Sequence, residues 1–188
     1  IYPQVLASLL LLITFEENSI SMKGISRTAL ILIIIIANIA IDQVTKKMTR
    51  DQIEYNETIE VIGDYLILTK VENEGAFLGM GSSLSPTLRT ILLLILPSGV
   101  MLALFVYLIR DKGITRLSMI ALSFIVGGGI GNIYDRIVYG SVTDMVFIDL
   151  QFAHTGIFNL ADVSVMIGTG IILIEQFLPK KKEEIEPT

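Results

Sequence analysis

The feature that most constrains this sequence is a set of four apolar stretches, each close to the length that crosses a bilayer. A spanning helix needs about 20 mostly apolar residues. Stretch 90–109 meets that length, with Pro97 inside it as a kink site. Stretches 117–133 and 160–178 come close, the last interrupted by Asp162 near its start and Glu175 near its end. Stretch 29–41, extended back through Thr28, is short, so flanking residues must contribute to its span. The run 5–15 is apolar as well, but it is too short to span. Four helices crossing a membrane are therefore expected. The composition agrees: 52% of residues are apolar and 18% charged, with a mean hydropathy of +0.69. An ordinary soluble domain is about one quarter charged.

Several function classes are excluded at this level. The chain has no Cys, which removes thiol catalysis, thiolate metal sites and disulfide scaffolds. A single His, His154, excludes a His-rich metal site, and it reads as an interfacial bystander. No metal and no cofactor is expected. The formal net charge of −5 argues against a nucleic-acid partner, which rewards basic patches.

Charge also predicts orientation. Lys23 and Arg27 precede the first stretch, Arg110, Lys112 and Arg116 crowd the link between the second and third, and Lys180, Lys181 and Lys182 follow the fourth. With four spans these lie on one side, which the positive-inside rule makes cytoplasmic, together with both termini. The segment 42–89 falls on the other side, where Lys46, Lys47 and Arg50 oppose the rule locally. Within it, 60–71 is β-branched and aromatic enough for strands, and 141–150 reads the same way. The expected fold is a mainly α membrane protein, a four-transmembrane-helix bundle with a small extracytoplasmic β-sheet. Residues 1–21 are expected to be an upstream extension or leader outside the functional core, since Met22-Lys23 looks like a natural start; a signal-peptide-like apolar region or an extra amphipathic segment is the alternative. Residues 22–178 form the expected functional domain, and 179–188 a charged cytoplasmic tail.

Four polar clusters fall at the outer ends of the predicted spans. They are 42–46 (Asp-Gln-Val-Thr-Lys), 73–77 (Asn-Glu-Gly-Ala-Phe) with Gly79 and Gly81 beyond, 127–136 (Gly-Gly-Gly-Ile-Gly-Asn-Ile-Tyr-Asp-Arg), and Asp144 followed by 158–162 (Phe-Asn-Leu-Ala-Asp). Asn159 and Asp162, three apart, share a helix face, with Asn159 placed to cap the helix. An Asp one turn inside an apolar segment is costly, which makes Asp162 a functional candidate; a dipole-stabilised helix-start acid is the plainer reading. Asp144 gains interest in combination. Two carboxylates held together cannot both ionise easily, so one takes a proton from water while the other donates one. Asp149 and Asp135 compete for the place of partner. The glycines of 127–129 let helices or a substrate chain approach closely. Asn132 and Arg136, four apart, offer an amide and a fixed charge to a substrate, although Asp135-Arg136 also reads as an interfacial anchor. Asn73 could hold a substrate backbone or simply form an Asn-x-Gly turn. Asp42 reads as a helix-end residue making structural hydrogen bonds.

Taken in order, these pieces resemble the bacterial lipoprotein signal peptidases, signal peptidase II, over about 22–178. The resemblance implies a membrane-embedded aspartic endopeptidase of the cytoplasmic membrane, acting at its outer face without a cofactor. It would remove the signal peptide from diacylglyceryl-modified prolipoproteins, cutting before the lipidated Cys. Asp144 and Asp162 match the catalytic pair. Asn73, Gly128, Asn132, Arg136 and Asn159 match substrate-binding or supporting positions, and Asp42 and Asp135 match structural ones. Prolipoproteins and membrane lipids are the implied partners, and the chain is expected to act as a monomer. The second motif departs from the family pattern, which often has another small residue before its aromatic, and Thr143 and Met145 are loose matches around Asp144. A small transporter or channel and a structural membrane subunit are the alternatives, both of which also use intramembrane carboxylates and glycine-rich contacts.

Overall fold

The computed structural model describes residues 25–75 and 84–178. The expectations for 1–21 and 179–188, the charges at Lys23 and Lys180–Lys182, and the stretch from Ala76 through Gly79 and Gly81 lie outside the described residues.

Among the described residues four helices are long and apolar enough to cross a membrane: α1 (Arg27–Gln52), α2 (Pro86–Arg110), α3 (Arg116–Val138) and α4 (Leu160–Phe177). Between them lie β1 (Thr58–Ile62), β2 (Leu66–Asn73) and β3 (Val142–Ile148). The chain is a multi-pass membrane protein, as its hydropathy pattern implies.

Each helix begins where a side chain satisfies a free amide. Ser26 accepts from the Ala29 N–H, Ser85 from Leu88, Thr115 from Ser118 and Asn159 from Asp162. The first span is longer than its apolar core suggests. Helix α1 passes 41 and continues to Gln52, because its polar extension finds partners: Asp42–Lys46 and Lys47–Asp51 pair four residues apart. In α2 the expected disturbance at Pro97 takes a definite form. Residues Ile91–Ile95 form one wide turn, in which the Leu96 N–H reaches back five residues to the Ile91 carbonyl. Proline has no N–H and its ring crowds the carbonyl four residues back; the wide turn sits immediately before it.

Helix α3 is the hub. It packs against α1, α2 and α4, and 39% of its apolar stretch is buried, against 6% for α2. Its glycines set the spacing. A Cβ at Gly128 would lie 2.4 Å from the Ala161 carbonyl oxygen of α4, so α3 and α4 meet backbone to backbone there. The apolar core lies toward the other end of the bundle: Ile31 and Ile35 of α1, Leu108 of α2, and Met119 and Val126 of α3. Ile33, Ile36, Leu102, Met166, Leu173 and Ile174 face outward, as lipid-facing residues do.

The three strands form one antiparallel sheet in the order β1-β2-β3. The expected strand region 60–71 belongs to a hairpin, turning at Gly63, whose φ of +46° suits a glycine. Strand β3 is the expected 141–150 element, slightly trimmed. Between β2 and β3 the register slips by one residue. Leu68 faces Val146 while Val71 faces Asp144, so three steps on β2 match two on β3. Such bulges re-aim side chains. Here one sits directly at Asp144.

Candidate active site

The strand β3 and the start of α4 are tied together by main chain. Met145 and Val146 donate their N–H groups to the Phe158 carbonyl at 3.0 and 2.9 Å, and the Phe158 N–H returns to Val146 at 2.9 Å. That clamp brings Asn159 and Asp162 to the strand that carries Asp144.

Asp144 is 3% exposed. Its Oδ2 accepts from Asn73 Nδ2 at 2.9 Å and its Oδ1 from Asn159 Nδ2 at 2.6 Å. Asn159 is wholly buried and fully engaged. Its amide also donates to Asn132 Oδ1 at 3.1 Å, and its Oδ1 accepts the Asp162 N–H at 3.0 Å. Asp162 Oδ2 accepts the Asn159 N–H at 3.3 Å, which completes a reciprocal cap, and its Oδ1 accepts from Asn132 Nδ2 at 2.9 Å. Asp144 and Asp162 are thus joined through two asparagines, and Asp162 remains half-buried. The dipole-stabilised helix-start reading of Asp162 is also correct as structure. The acid caps α4 and faces the Asp144 network at once.

Burial pushes the Asp144 carboxyl up to about 6, and the charge of Asp162 pushes the same way. The hydrogen bonds from Asn73 and Asn159 and the charge of Lys46 pull against that rise without overcoming it. The carboxylate pair therefore has a group that exchanges its proton close to neutral pH.

Arg136 comes from the last turn of α3. Its Nη2 donates to the Gly75 carbonyl at 2.6 Å, and its guanidinium interacts with Asp144, Asp162 and Asp135. Gly75 in turn donates its N–H to Asn73 Oδ1 at 2.9 Å. Arg136 and Asn73 therefore fix the same turn from two sides. The Asn-x-Gly turn exists, and its asparagine also reaches Asp144. Gly128 lies at the α3–α4 contact against Ala161 and Ser164, which is helix packing.

The competing partners for Asp144 sit elsewhere. Asp149 lies five residues farther along the chain, about 16 Å at strand spacing, and its Oδ1 accepts the Gln151 N–H at 2.7 Å. Asp135 is wholly buried in a separate ion cluster. There Lys46 Nζ lies 2.9 Å from Asp42 and 3.2 Å from Asp135, and Arg50 lies 3.6 Å from Asp135 and over the Tyr139 ring. Gln43 Nε2 donates to Asp42 Oδ2 and Asp135 Oδ1, and Asp42 Oδ1 accepts the Ala161 N–H at 2.9 Å. His154 is exposed, its ring near Phe147 and away from this cluster.

Lys46 has a place in the site that its position in the sequence does not reveal. It is completely buried and also donates to Asn132 Oδ1 at 2.8 Å, so it holds the asparagine whose other amide end faces Asp162. Two signals nonetheless mark it as unusual. Asp42 and Lys46 stand four apart on one helix face, and the cation closes an otherwise apolar span. Glu72 has such a place too. It accepts from Ser141 and Thr143, locking β2 to β3 beside Asp144.

A family profile described as Signal peptidase (SPase) II matches residues 31–178. This chain belongs to the signal peptidase II family. It is 36% identical over 144 residues to a lipoprotein signal peptidase of Brevibacillus brevis, covering 77% of this chain and 92% of that protein. It is 35% identical over 149 residues to one of Moorella thermoacetica, covering 79% and 93%. A bacterial membrane enzyme structure solved by the in meso method at 2.3 Å resolution superposes with a TM-score of 0.71 at 28% identity, covering 83% of this chain and 94% of that one. The chain is therefore a protease, aspartic in type as its family is, and the transporter and structural-subunit readings fall.

Proposed function

We propose that this protein removes signal peptides from diacylglyceryl-modified prolipoproteins, cutting before the lipidated Cys by direct attack of water activated between Asp144 and Asp162. The observation that carries this reading is the hydrogen-bonded run Asp144–Asn159–Asn132–Asp162 at one end of four apolar helices. The pair works with one proton. The ionised carboxylate takes a proton from water, and the protonated one donates to the scissile carbonyl oxygen and then to the leaving amine. The raised Asp144 carboxyl favours Asp144 as the proton holder, with Asp162 as the base, although the titration belongs to the pair. Asn73, Asn132 and Asn159 orient the carboxylates, and Arg136 supplies a fixed positive charge beside them. Asp42 and Asp135 support the helix ends.

The site faces the outer surface of the cytoplasmic membrane, with both termini inside. Arg27, Arg110, Lys112 and Arg116 stand at the end of the bundle opposite the carboxylates, which supports that orientation. The apparent exceptions are locally paired: Lys46 with Asp42 and Asp135, Lys47 with Asp51, and Arg50 with Asp135. Substrate lipid tails would lie in the bilayer beside the helices, leaving the scissile bond at the interface. The working unit lies within 22–178 and acts as a monomer.

A cleavage assay in detergent tests this. The substrate is a prolipoprotein peptide with and without diacylglyceryl on its Cys, run with wild type, Asp144→Asn and Asp162→Asn, and with a chelator control. Lipid-dependent cutting before the Cys, lost in both variants and indifferent to chelator, is expected. Full cleavage by Asp162→Asn would overturn the mechanism.

A further inference from the structure

A cavity of about 360 Å³ opens at the other end of the bundle, lined by Ile25, Arg27, Leu30, Lys112, Ile114, Arg116 and Met119. Its volume falls within the ~300–1,000 Å³ of small-molecule sites. Three cations reach it from three separate elements: the start of α1, the link between α2 and α3, and the first residue of α3. Leu30, Ile114 and Met119 supply apolar lining, and Met119 is buried.

Among the described residues nothing neutralises these cations. No salt bridge involves Arg27, Lys112 or Arg116 among the described residues. Arg27 spends two of its five N–H donors on the Leu108 and Asp111 carbonyls, at 2.8 and 2.7 Å, and these hold its guanidinium at the end of α2. The nearby acids are occupied. Asp111 Oδ1 accepts the Gly113 N–H at 2.7 Å, and Glu175 accepts from Thr115 and Ser118. Arg27 and Arg116 each open a helix whose first turn carries no acid, so the local field is more positive than the side chains alone would make it.

We propose that this cavity binds one anionic glycerophospholipid of the cytoplasmic leaflet. Its phosphate sits among Arg27, Lys112 and Arg116, and the first part of one acyl chain runs along Leu30, Ile114 and Met119. Basic pockets between membrane helices on the cytoplasmic side are suited to such head groups. A free anion could satisfy the cations and leave the apolar lining empty; a neutral lipid could cover the lining and leave the cations unanswered. An anionic lipid answers both. The site stands apart from the proteolytic one: Arg27 and Asp42 are separated by about 22 Å along α1.

The test uses the full chain in neutral detergent, with native mass spectrometry reading bound lipid. The probes are dioleoylphosphatidylglycerol, dioleoylphosphatidylcholine and inorganic phosphate, each against wild type and Lys112→Gln/Arg116→Gln. Arg27 is kept because it also ties α1 to α2. One phosphatidylglycerol per chain is expected, retained at least ten-fold better than phosphatidylcholine, with that preference lost in the double variant while cleavage in neutral detergent is unchanged. Equal retention of the two lipids, an unchanged preference in the double variant, or competition by millimolar inorganic phosphate as effective as that by the lipid would overturn the proposal.

Discussion

Two polar regions share the carboxylate end of this bundle, and they treat acidic side chains in opposite ways. Around Lys46, the carboxylates of Asp42 and Asp135 are wholly buried and in direct contact with a buried cation. Around Asn159, Asp144 and Asp162 touch asparagine amides and backbone N–H groups, and among the described residues neither forms a salt bridge, with the Arg136 charge acting from farther away. In the first region the carboxylates tie α1 to α3 and α4 through Lys46, Gln43 and the Ala161 N–H. In the second, burial and the charge of Asp162 push the Asp144 carboxyl up to about 6 against the pull of its asparagine donors. The same residue type thus ties helices together in one place and, in the function proposed above, transfers protons in the other.

The sharpest break of that comparison is to neutralise each region in turn. In Asp162→Asn or Asp144→Asn, turnover of a lipidated substrate falls by roughly 10²–10⁴-fold, the usual share of general acid–base catalysis. The apparent melting temperature in detergent falls less than in Lys46→Met: the amide keeps the shape but turns an NH2 toward one of the two donors that each carboxylate accepts. Unimpaired turnover in either variant would place the chemistry elsewhere. In Lys46→Met the order reverses. Removing a buried cation leaves Asp42 uncompensated and Asp135 with Arg50 alone, a loss of about 3–5 kcal/mol of stability. A melting curve that matches wild type would mean the cluster does not hold α1 to α3.

How much of this was legible beforehand follows from the range of each signal. Hydropathy is local, so the four helices, their order and the strand at 141–150 could be read directly. The pairing of Asp144 with Asp162 was only a candidate from residue types, since Asp149 and Asp135 carried the same chemistry. It took the order of the motifs to prefer one partner, and the clamp between Phe158 and Val146 to show how the two are brought together. The wide turn before Pro97 and the bulge at Asp144 depend on hydrogen-bond partners that no short window contains. The extension of α1 to Gln52 was missed for a similar reason. Its polar face looked like the end of a span, whereas it is buried against α3 through Lys46 and Asp135.

The third way to sharpen the contrast is pH. Asp144 binds its proton more tightly when folded, near 6, than its unfolded value of 3.8. Its contribution to stability is therefore fully present below about 3.8 and is lost as pH rises through about 6. The ceiling on that loss is about 3 kcal/mol, from roughly two pKa units at 1.36 kcal/mol each. Melting temperatures of wild type measured between pH 4 and 7.5 carry this downward contribution, and those of Asp144→Asn lack it. Parallel pH curves for the two proteins would mean that Asp144 is no more basic folded than unfolded.

The finest test lies at the joint between the regions. Asn132 accepts from Lys46 on its carbonyl oxygen and donates to Asp162 from its amide nitrogen. A cation on one side forces the amide to present its N–H to the other. Asn132→Ala removes the hydrogen bond to the Asp162 carboxylate, worth about 1.5–3 kcal/mol, together with those accepted from Lys46 and Asn159. If the joint serves the chemistry, that energy appears in turnover as a loss of roughly 10–100-fold, at 1.36 kcal/mol per decade. Melting should move by only a few degrees, because Lys46 keeps Asp42 and Asp135. If the joint serves only the ion cluster, melting falls as it does in Lys46→Met and turnover of the folded fraction is unchanged. Measuring both quantities on one preparation separates the outcomes. The expected result, turnover lost and melting kept, would mean that the inert cluster shapes the reactive one through a single amide.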